Sequence, residues 1–430
     1  MPSIDYRYLR PKKAAALRSW HEEPFHITED LQVWSGKNAT ILPMRRVPGD
    51  PYLFGRGGVV DASGNYVELS AIKDRVESGY PFENPAYVDK KVVFCGYFFT
   101  HWGHFLIETV ARLWYFLEND SSIDSYVFFV NENSNQVPMG NYREFFQLFG
   151  IWDKLEFIDT PTAYREVVVP QVAFHFRDYY SSKYLRIFDT IAGNVQPQPD
   201  WDRPEKLFFT RSQFVKCLQY EFGHDALDDF FRKNGYTIIS PEKLTLSQTI
   251  YYIRNAREVA SVSGTLPHNL LFGNPGQKLV IVERGILNND CQVNVNRMKH
   301  LNTTYIDANY ALYTVAMIGP FMLGYTPLLE RYAQDHGMQP PAECYRTDAY
   351  RNQNFCKYMA AYQDEYRYQW YMEDWFVEAT DYLVEAYRDS FPYFEAYLKG
   401  NEPCLKEHRF QFHYFKQFIK KILRKLGLWK

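Results

Sequence analysis

Two rhythms of apolar and polar positions run along this chain. In its first half, short apolar runs bounded by Gly, Asn, Asp or Pro predict strands at KKVVFCGYF, SYVFFVN, LEFID and REVVVPQVAF. HWGHFLIETVARLWYFLEN and YREFFQLFGI instead carry helical spacing, and the first of these helices is expected to stop before Asp120. GRGGVVDASGNYVEL predicts two strands joined by a turn at Asp61 to Asn65, with Gly64 supplying the permissive backbone. Its glycines lack the strand–G-x-G-x-x-G–helix setting of a phosphate loop, so a hairpin is the better reading.

Asn194 to Lys206, NVQPQPDWDRPEK, breaks both rhythms and marks a domain boundary. Beyond it the alternation is regular. Strands are predicted at KLFFTR, YTIISP, EVASVSG, KLVIVER and TTYID, separated by helices at HDALDDFFRKNG, LTLSQTIYYIRNA and LPHNLLFGN. Strands spaced by helices of this length imply a parallel sheet with right-handed crossovers. The expected organisation is α/β, with domains at 1–195 and 205–330 and a helical, aromatic-rich extension at 331–430.

Two stretches call for a membrane test. Tyr310 to Leu329 is uncharged and about long enough to span a bilayer. Gly319-Pro320 and Pro327 interrupt it, which predicts a short helix, a buried strand near Pro320 to Gly324, and a new helix from about Pro327. The C-terminal HRFQFHYFKQFIKKILRKLGLWK is a basic amphipathic helix by pattern, with no acid between Lys416 and Lys430. Residues 410–430 thus suit an anionic membrane surface or docking on a protein face.

Composition adds less. The 430 residues are 46% hydrophobic and 23% charged, ordinary for a globular chain, so disorder is excluded. Tyr 35 and Phe 33 help bring the aromatic share to 18%, which offers stacking surfaces for cores, sugar rings or a membrane interface. A net charge of −3 argues against a nucleic-acid binder. Six scattered cysteines without any C-x-x-C fit a reducing compartment better than a disulfide framework or a zinc site. The N-terminus has no sustained apolar stretch resembling a secretory signal.

Chemistry concentrates in three places. FFTHWGHFLIE sets His101, His104 and Glu108 on one helical face, as metal ligands, a proton-transfer pair or satisfied core groups. No strong metal signature accompanies them, and Asp200-Trp201-Asp202 lies in the proline-rich linker rather than at a strand end. In a parallel sheet, ligands bind beyond the carboxyl ends of the strands. There stand Arg211, then Ser263-Gly264-Thr265 before a helix that opens towards Asn269, and finally Glu283. A small-residue loop at a helix N-terminus with a nearby guanidinium suits a diphosphate, and an acid at the last strand end suits ribose hydroxyls.

The segments HWGHFLIETVARLW, LFFTRSQ, GYTIISPEKLTLSQTIYYIRNAREVASVSGTLPHNLLF and KLVIVER, in this order and spacing, resemble glycosyltransferase family 61 over about residues 90 to 290. The resemblance implies a GT-B-like architecture, with two Rossmann-like domains facing a cleft, and an inverting mechanism. It maps the family's N-x-x-H-F-x-x-E onto His101, His104 and Glu108, and its strand-end arginine onto Arg211. Its P-E and downstream Gln fall on Glu242 and Gln248, and its H-G-A-x-x-x-N on Ser263, Gly264, Thr265 and Asn269. His101 replaces the usual Asn, and Ser263 replaces a frequent His. The SGT…HN form is more frequent in the bacterial polysaccharide branch.

From this follow the functional expectations. The donor is a nucleotide sugar, UDP-linked, bound without a metal by Arg211, Glu242, Gln248, Ser263, Gly264, Thr265, Asn269 and Glu283. The catalytic pair is His104 with Glu108, either of which could be the base, and His101 lies on the acceptor side. The acceptor is a glycan or lipid-linked glycan of surface or capsular polysaccharide. The location is cytoplasmic, peripheral on the inner face of the cell membrane, with oligomerisation left open. Two other classes stand beside this reading: a metal-dependent hydrolase using His101, His104 and Glu108, and a non-catalytic scaffold of a polysaccharide assembly complex.

Overall fold

The computed structural model describes residues 3–46, 55–72, 76–134, 136–285, 290–310 and 319–368. The apolar runs fall into two six-stranded sheets. The first runs, in spatial order, Arg56–Val60, Val33–Arg45, Thr162–Pro170, Ala86–Tyr97, Ser125–Phe129 and Leu155–Ile158. Its last four strands are parallel, and Val33–Arg45 is antiparallel to both neighbours. The second runs Ile4–Tyr8, Asn302–Asp307, Lys278–Glu283, Glu258–Val262, Lys206–Phe209 and Thr237–Ile239, and is parallel throughout.

Numbered from the linker onward, the strands of the second sheet stand in the order 2-1-3-4-5. The chain therefore reverses direction across the sheet between Lys206–Phe209 and Glu258–Val262. Crossovers leave those two strands on opposite sides, which opens a crevice at their carboxyl ends. The remaining edge is filled from afar. Ile4–Tyr8 pairs with Asn302–Asp307, and helix Pro11–Glu22 packs on helix Asp290–Met298. The start of the chain, counted by sequence with the first domain, thus joins the second sheet.

Among the described residues, alternation along the strands sorts most buried side chains between three large cores, with a small fourth cluster at Leu42, Val60 and Tyr80. Val93, Cys95, Tyr126 and Phe128 of the first sheet enter the same apolar cluster as Leu207, Phe209, Val259 and Ile281 of the second. Their sequence neighbours turn outward. Val92, Phe94 and Val127 line one outer core, while Phe208, Ala260 and Val280 line the other. Helix Ser182–Gly193 and the 3₁₀ turn Leu266–Phe272 seal the shared core, where Phe272 stands 6.2 Å from Phe145 and 5.2 Å from Phe188. The two sheets are therefore joined by common apolar contacts as well as by the linker.

Local departures from expectation have local causes. The helix expected through Asn119 is an α-helix only over Trp102–Ile107 and tightens to 3₁₀ over Thr109–Glu118. Two side chains hold the tighter turn. Thr109 Oγ1 donates to Tyr97 O and accepts from Phe99 N, and buried Arg112 donates to the carbonyls of Pro170, Leu69 and Ala71. Of the expected hairpin, Arg56–Val60 forms, but its partner is a single bridge at Tyr66 followed by a 3₁₀ turn. Within Tyr310 to Leu329, a buried strand forms at Phe321–Met322 and a helix at Pro327–Asp335. The short helix expected before them falls on 311–318, outside the described residues. No helix among the described residues is long and apolar enough to cross a membrane. Helix Asp348–Tyr368 lies in the extension, and the basic segment 410–430 lies outside the described residues.

Candidate functional site

At the crevice of the second sheet the strand ends assemble a cationic cluster. Lys206–Phe209 runs out into Thr210 and Arg211, and Lys278–Glu283 runs out into Arg284. Both guanidiniums converge on one carboxylate, Glu221: Arg211 Nε lies 3.0 Å from its Oε1, and Arg284 Nη1 bonds the same oxygen. His224 Nε2 takes the other oxygen at 2.9 Å, and Cys217 Sγ donates to Oε1 at 3.1 Å. Burial alone would raise the Glu221 carboxyl, yet Arg284, His224 and Arg211 together hold it well below the usual range. Burial pushes the Cys217 thiol up to about 12, so it stays protonated. Two permanent cations on one anion leave a positive charge at the crevice.

Backbone geometry brings this charge against the Ser263–Thr265 loop. Ser263 Oγ accepts from Arg284 N at 3.2 Å. Gly264 has φ +122°, and a methyl group on it would stand 2.8 Å from Arg284 Nη2. Glycine is therefore required twice here, for its backbone angle and for the guanidinium beside it. The helix expected after this loop is a seven-residue 3₁₀ turn, Leu266–Phe272. So short a turn offers little dipole, and the cationic character of the crevice comes from Arg211 and Arg284 instead.

The first lobe presents its own pair. His101 precedes helix Trp102–Ile107 in extended conformation and is exposed. One turn on, His104 Nδ1 lies 3.1 Å from Glu108 Oε2, with about two-fifths of the His104 side chain exposed. A carboxylate only accepts, so Nδ1 carries the proton that faces Glu108. The His101 and His104 rings are 5.0 Å apart. Among the described residues, no three His, Cys, Asp or Glu side chains converge as a metal-ligand set.

The two lobes meet at this point. Trp102 Nε1 donates to Asn269 Oδ1 at 2.9 Å, and Asn269 Nδ2 donates to Leu266 O at 2.9 Å. A methyl group on Gly103 would stand 3.1 Å from Thr265 Oγ1, so the helix backbone abuts the loop directly. Helix Trp102–Ile107, which follows His101 and carries His104, is thereby set against Thr265 and Asn269 along one seam, with Arg284 beside Gly264 and Arg211 joined to it through Glu221.

Three further expected residues have the following surroundings. Glu242 is exposed on the turn after Thr237–Ile239. Gln248 is the third residue of helix Leu246–Asn255, where its backbone N–H bonds the Thr245 hydroxyl and its amide reaches Tyr252. That helix start is also closed by Glu144 of the first lobe, which accepts from Leu246 N and Ser247 N. Glu283, expected at a ribose, is buried under the N-terminal helix with Lys13 Nζ 2.9 Å away and Asp307 beside it in register. Burial raises its carboxyl, with Lys13 acting the other way. Sequence reading missed Glu221, His224 and Arg284. Arg284 had a usable signal, since it follows Glu283 at a strand end, whereas nothing in EFGH marks Glu221 as the residue between two arginines.

No curated protein matches the chain. Residues 102–280 match the family model described as Glycosyltransferase 61, a span that takes in His104, Arg211 and the Ser263–Asn269 loop and supports reading the chain as a glycosyltransferase.

Proposed function

We propose that this protein is an inverting glycosyltransferase that moves a sugar from a nucleotide diphosphate, UDP in the first instance, to a glycan hydroxyl. One observation carries the reading: an imidazole paired with a carboxylate and a cluster of two guanidiniums flank the same seam. In the reaction, His104 Nε2 removes the acceptor hydroxyl proton while Glu108 steadies the imidazolium through Nδ1. The hydroxyl oxygen forms the new bond to the anomeric carbon from the face opposite the diphosphate. The carbon–oxygen bond to the diphosphate breaks, and its electron pair leaves on the phosphate oxygen. Arg211 and Arg284, with the Gly264–Thr265 turn beside them, stabilise that charge, which makes a metal ion unnecessary for departure. Glu108 acting as the base itself is the rival assignment.

In this reading the 205–330 region binds the donor and the first sheet serves the acceptor, in the manner of a GT-B enzyme. Glu242 and Gln248 are candidates for the base end, at the carboxyl edge of Thr237–Ile239. His101 faces the acceptor side. The charge pattern of 410–430 suits attachment to the inner face of a bacterial cell membrane, where a lipid-linked glycan of a surface or capsular polysaccharide would be the acceptor. A thermal-shift screen across nucleoside diphosphates and nucleotide sugars tests the donor class. Stabilisation by one base alone is expected, and no response to any of them would end the proposal.

A further inference from the structure

The function above leaves unused a buried histidine at the lobe seam. His268 sits on the 3₁₀ turn Leu266–Phe272, which packs against helix Asp290–Met298 on one side and helix Trp102–Ile107 on the other. It is 4% exposed. Its Nδ1 lies 2.7 Å from Gln292 Oε1 on the first of these helices, while the next residue, Asn269, accepts from Trp102 on the second.

A chain of buried amides stands behind that bond. Gln292 Nε2 donates to Asn296 Oδ1 at 2.8 Å, and Asn296 Nδ2 donates to Tyr305 OH at 2.7 Å. Each amide spends its NH₂ on the next member, so Gln292 turns its carbonyl oxygen to the imidazole. A carbonyl oxygen cannot donate. His268 Nδ1 therefore carries the proton, and Nε2 keeps its lone pair. The ring is also held neutral: burial pushes it down to about 4, and His101 and His104 add to the effect from across the seam. A neutral imidazole of fixed tautomer is thus built into the lobe that carries the two arginines, close to the pair expected to handle the acceptor proton.

We propose that His268 is a specificity-determining residue, whose Nε2 accepts a hydrogen bond from a ring hydroxyl of the transferred sugar. The inference rests on the donor reading given above. A sugar linked to a diphosphate at Arg211 and Arg284, and open to attack from the His104 side, must lie against the Thr265–Asn269 turn. Nitrogen with a lone pair recognises a hydroxyl and gains nothing from an apolar or missing substituent. Such a group selects among sugars without contributing to the grip on the nucleotide.

The test uses the full-length protein, with calorimetry of UDP, UDP-glucose, UDP-N-acetylglucosamine and UDP-xylose, together with ¹⁵N NMR of the histidine rings. For wild type, the His268 ring should show Nδ1–H and a bare Nε2. His268→Leu should bind UDP within about two-fold of wild type but lose about ten-fold or more for the UDP-sugar that wild type prefers. His268→Gln, whose amide oxygen reaches the place of Nε2, should restore most of that loss. A protonated Nε2 would overturn the proposal, as would a variant that weakens UDP and UDP-sugar equally or leaves both unchanged. Wild-type binding of UDP without any sugar-dependent gain overturns this inference alone. Failure of wild type to bind UDP or any UDP-sugar overturns the donor reading along with it.

Discussion

The two halves of the seam are built in opposite ways. On the second lobe, Arg211, Arg284, His224 and Cys217 surround a carboxylate that is almost wholly buried, and each is fixed by a named bond. On the first lobe, His104 stands partly in solvent and is paired with the Glu108 carboxylate. A leaving diphosphate needs donors already in place, because reorienting them would cost as much as they gain. A base needs access to an incoming hydroxyl and a partner that sets its tautomer. Burial on one side and exposure on the other match those separate demands.

The largest expected effect concerns the core beneath both halves. Phe272→Ala removes the ring that stands against Phe145 and Phe188 and should cost about 3–5 kcal/mol. Because the sheets share that core, calorimetry should record a single cooperative transition moving down in temperature; two separate transitions would mean the lobes fold independently. Next comes Glu221→Gln. Simple attraction predicts tighter UDP binding once a negative charge is gone. If Glu221 instead holds two mutually repelling guanidiniums side by side, affinity should fall by about ten-fold, or roughly 1.4 kcal/mol, measured by calorimetry at two salt concentrations. Tighter binding would remove Glu221 as a positioning residue. Gly264→Ala tests the same arrangement from the loop side, with an expected cost of about 1–3 kcal/mol in stability and a displaced Arg284.

Another effect is on pH. Burial holds the imidazoles of His21 and His268 down to about 4, with Leu17 and Gln292 respectively acting the other way. Between pH 6.5 and about 4 the unfolded chain binds protons that the folded one refuses, so stability falls as pH falls through that window. Glu283, whose carboxyl burial raises, acts in the opposite direction. Chemical denaturation at pH 7 and pH 5 should show the loss, and substituting His268 by Gln should reduce it.

Much of this was legible in the chain because it is local. KLFFTR, EVASVSG and KLVIVER became adjacent parallel strands, since continuous apolar runs between amphipathic helices leave few other arrangements. FFTHWGHFLIE placed His104 and Glu108 one helical turn apart, as spacing alone requires. Contacts between distant segments were not legible. Pairing of Ile4 with Thr303, Lys13 with Glu283 and Trp102 with Asn269 depends on tertiary packing that no periodicity records. The same holds for Glu221, which draws its meaning from Arg211 and Arg284 arriving from two different strand ends. Glu283 and Arg284 show the limit clearly: adjacent in sequence, they are divided by a strand end that sends one under the N-terminal helix and the other to the crevice.

The division of labour between the lobes is tested most directly by calorimetry of UDP on His104→Ala and Arg284→Ala, read beside their transfer rates. The expected result is a split. His104→Ala should keep UDP affinity within about two-fold while transfer falls by about 10²–10⁴-fold. Arg284→Ala should lose UDP affinity by about 100-fold. Equal losses of UDP affinity in both variants, or full transfer by His104→Ala, would contradict it.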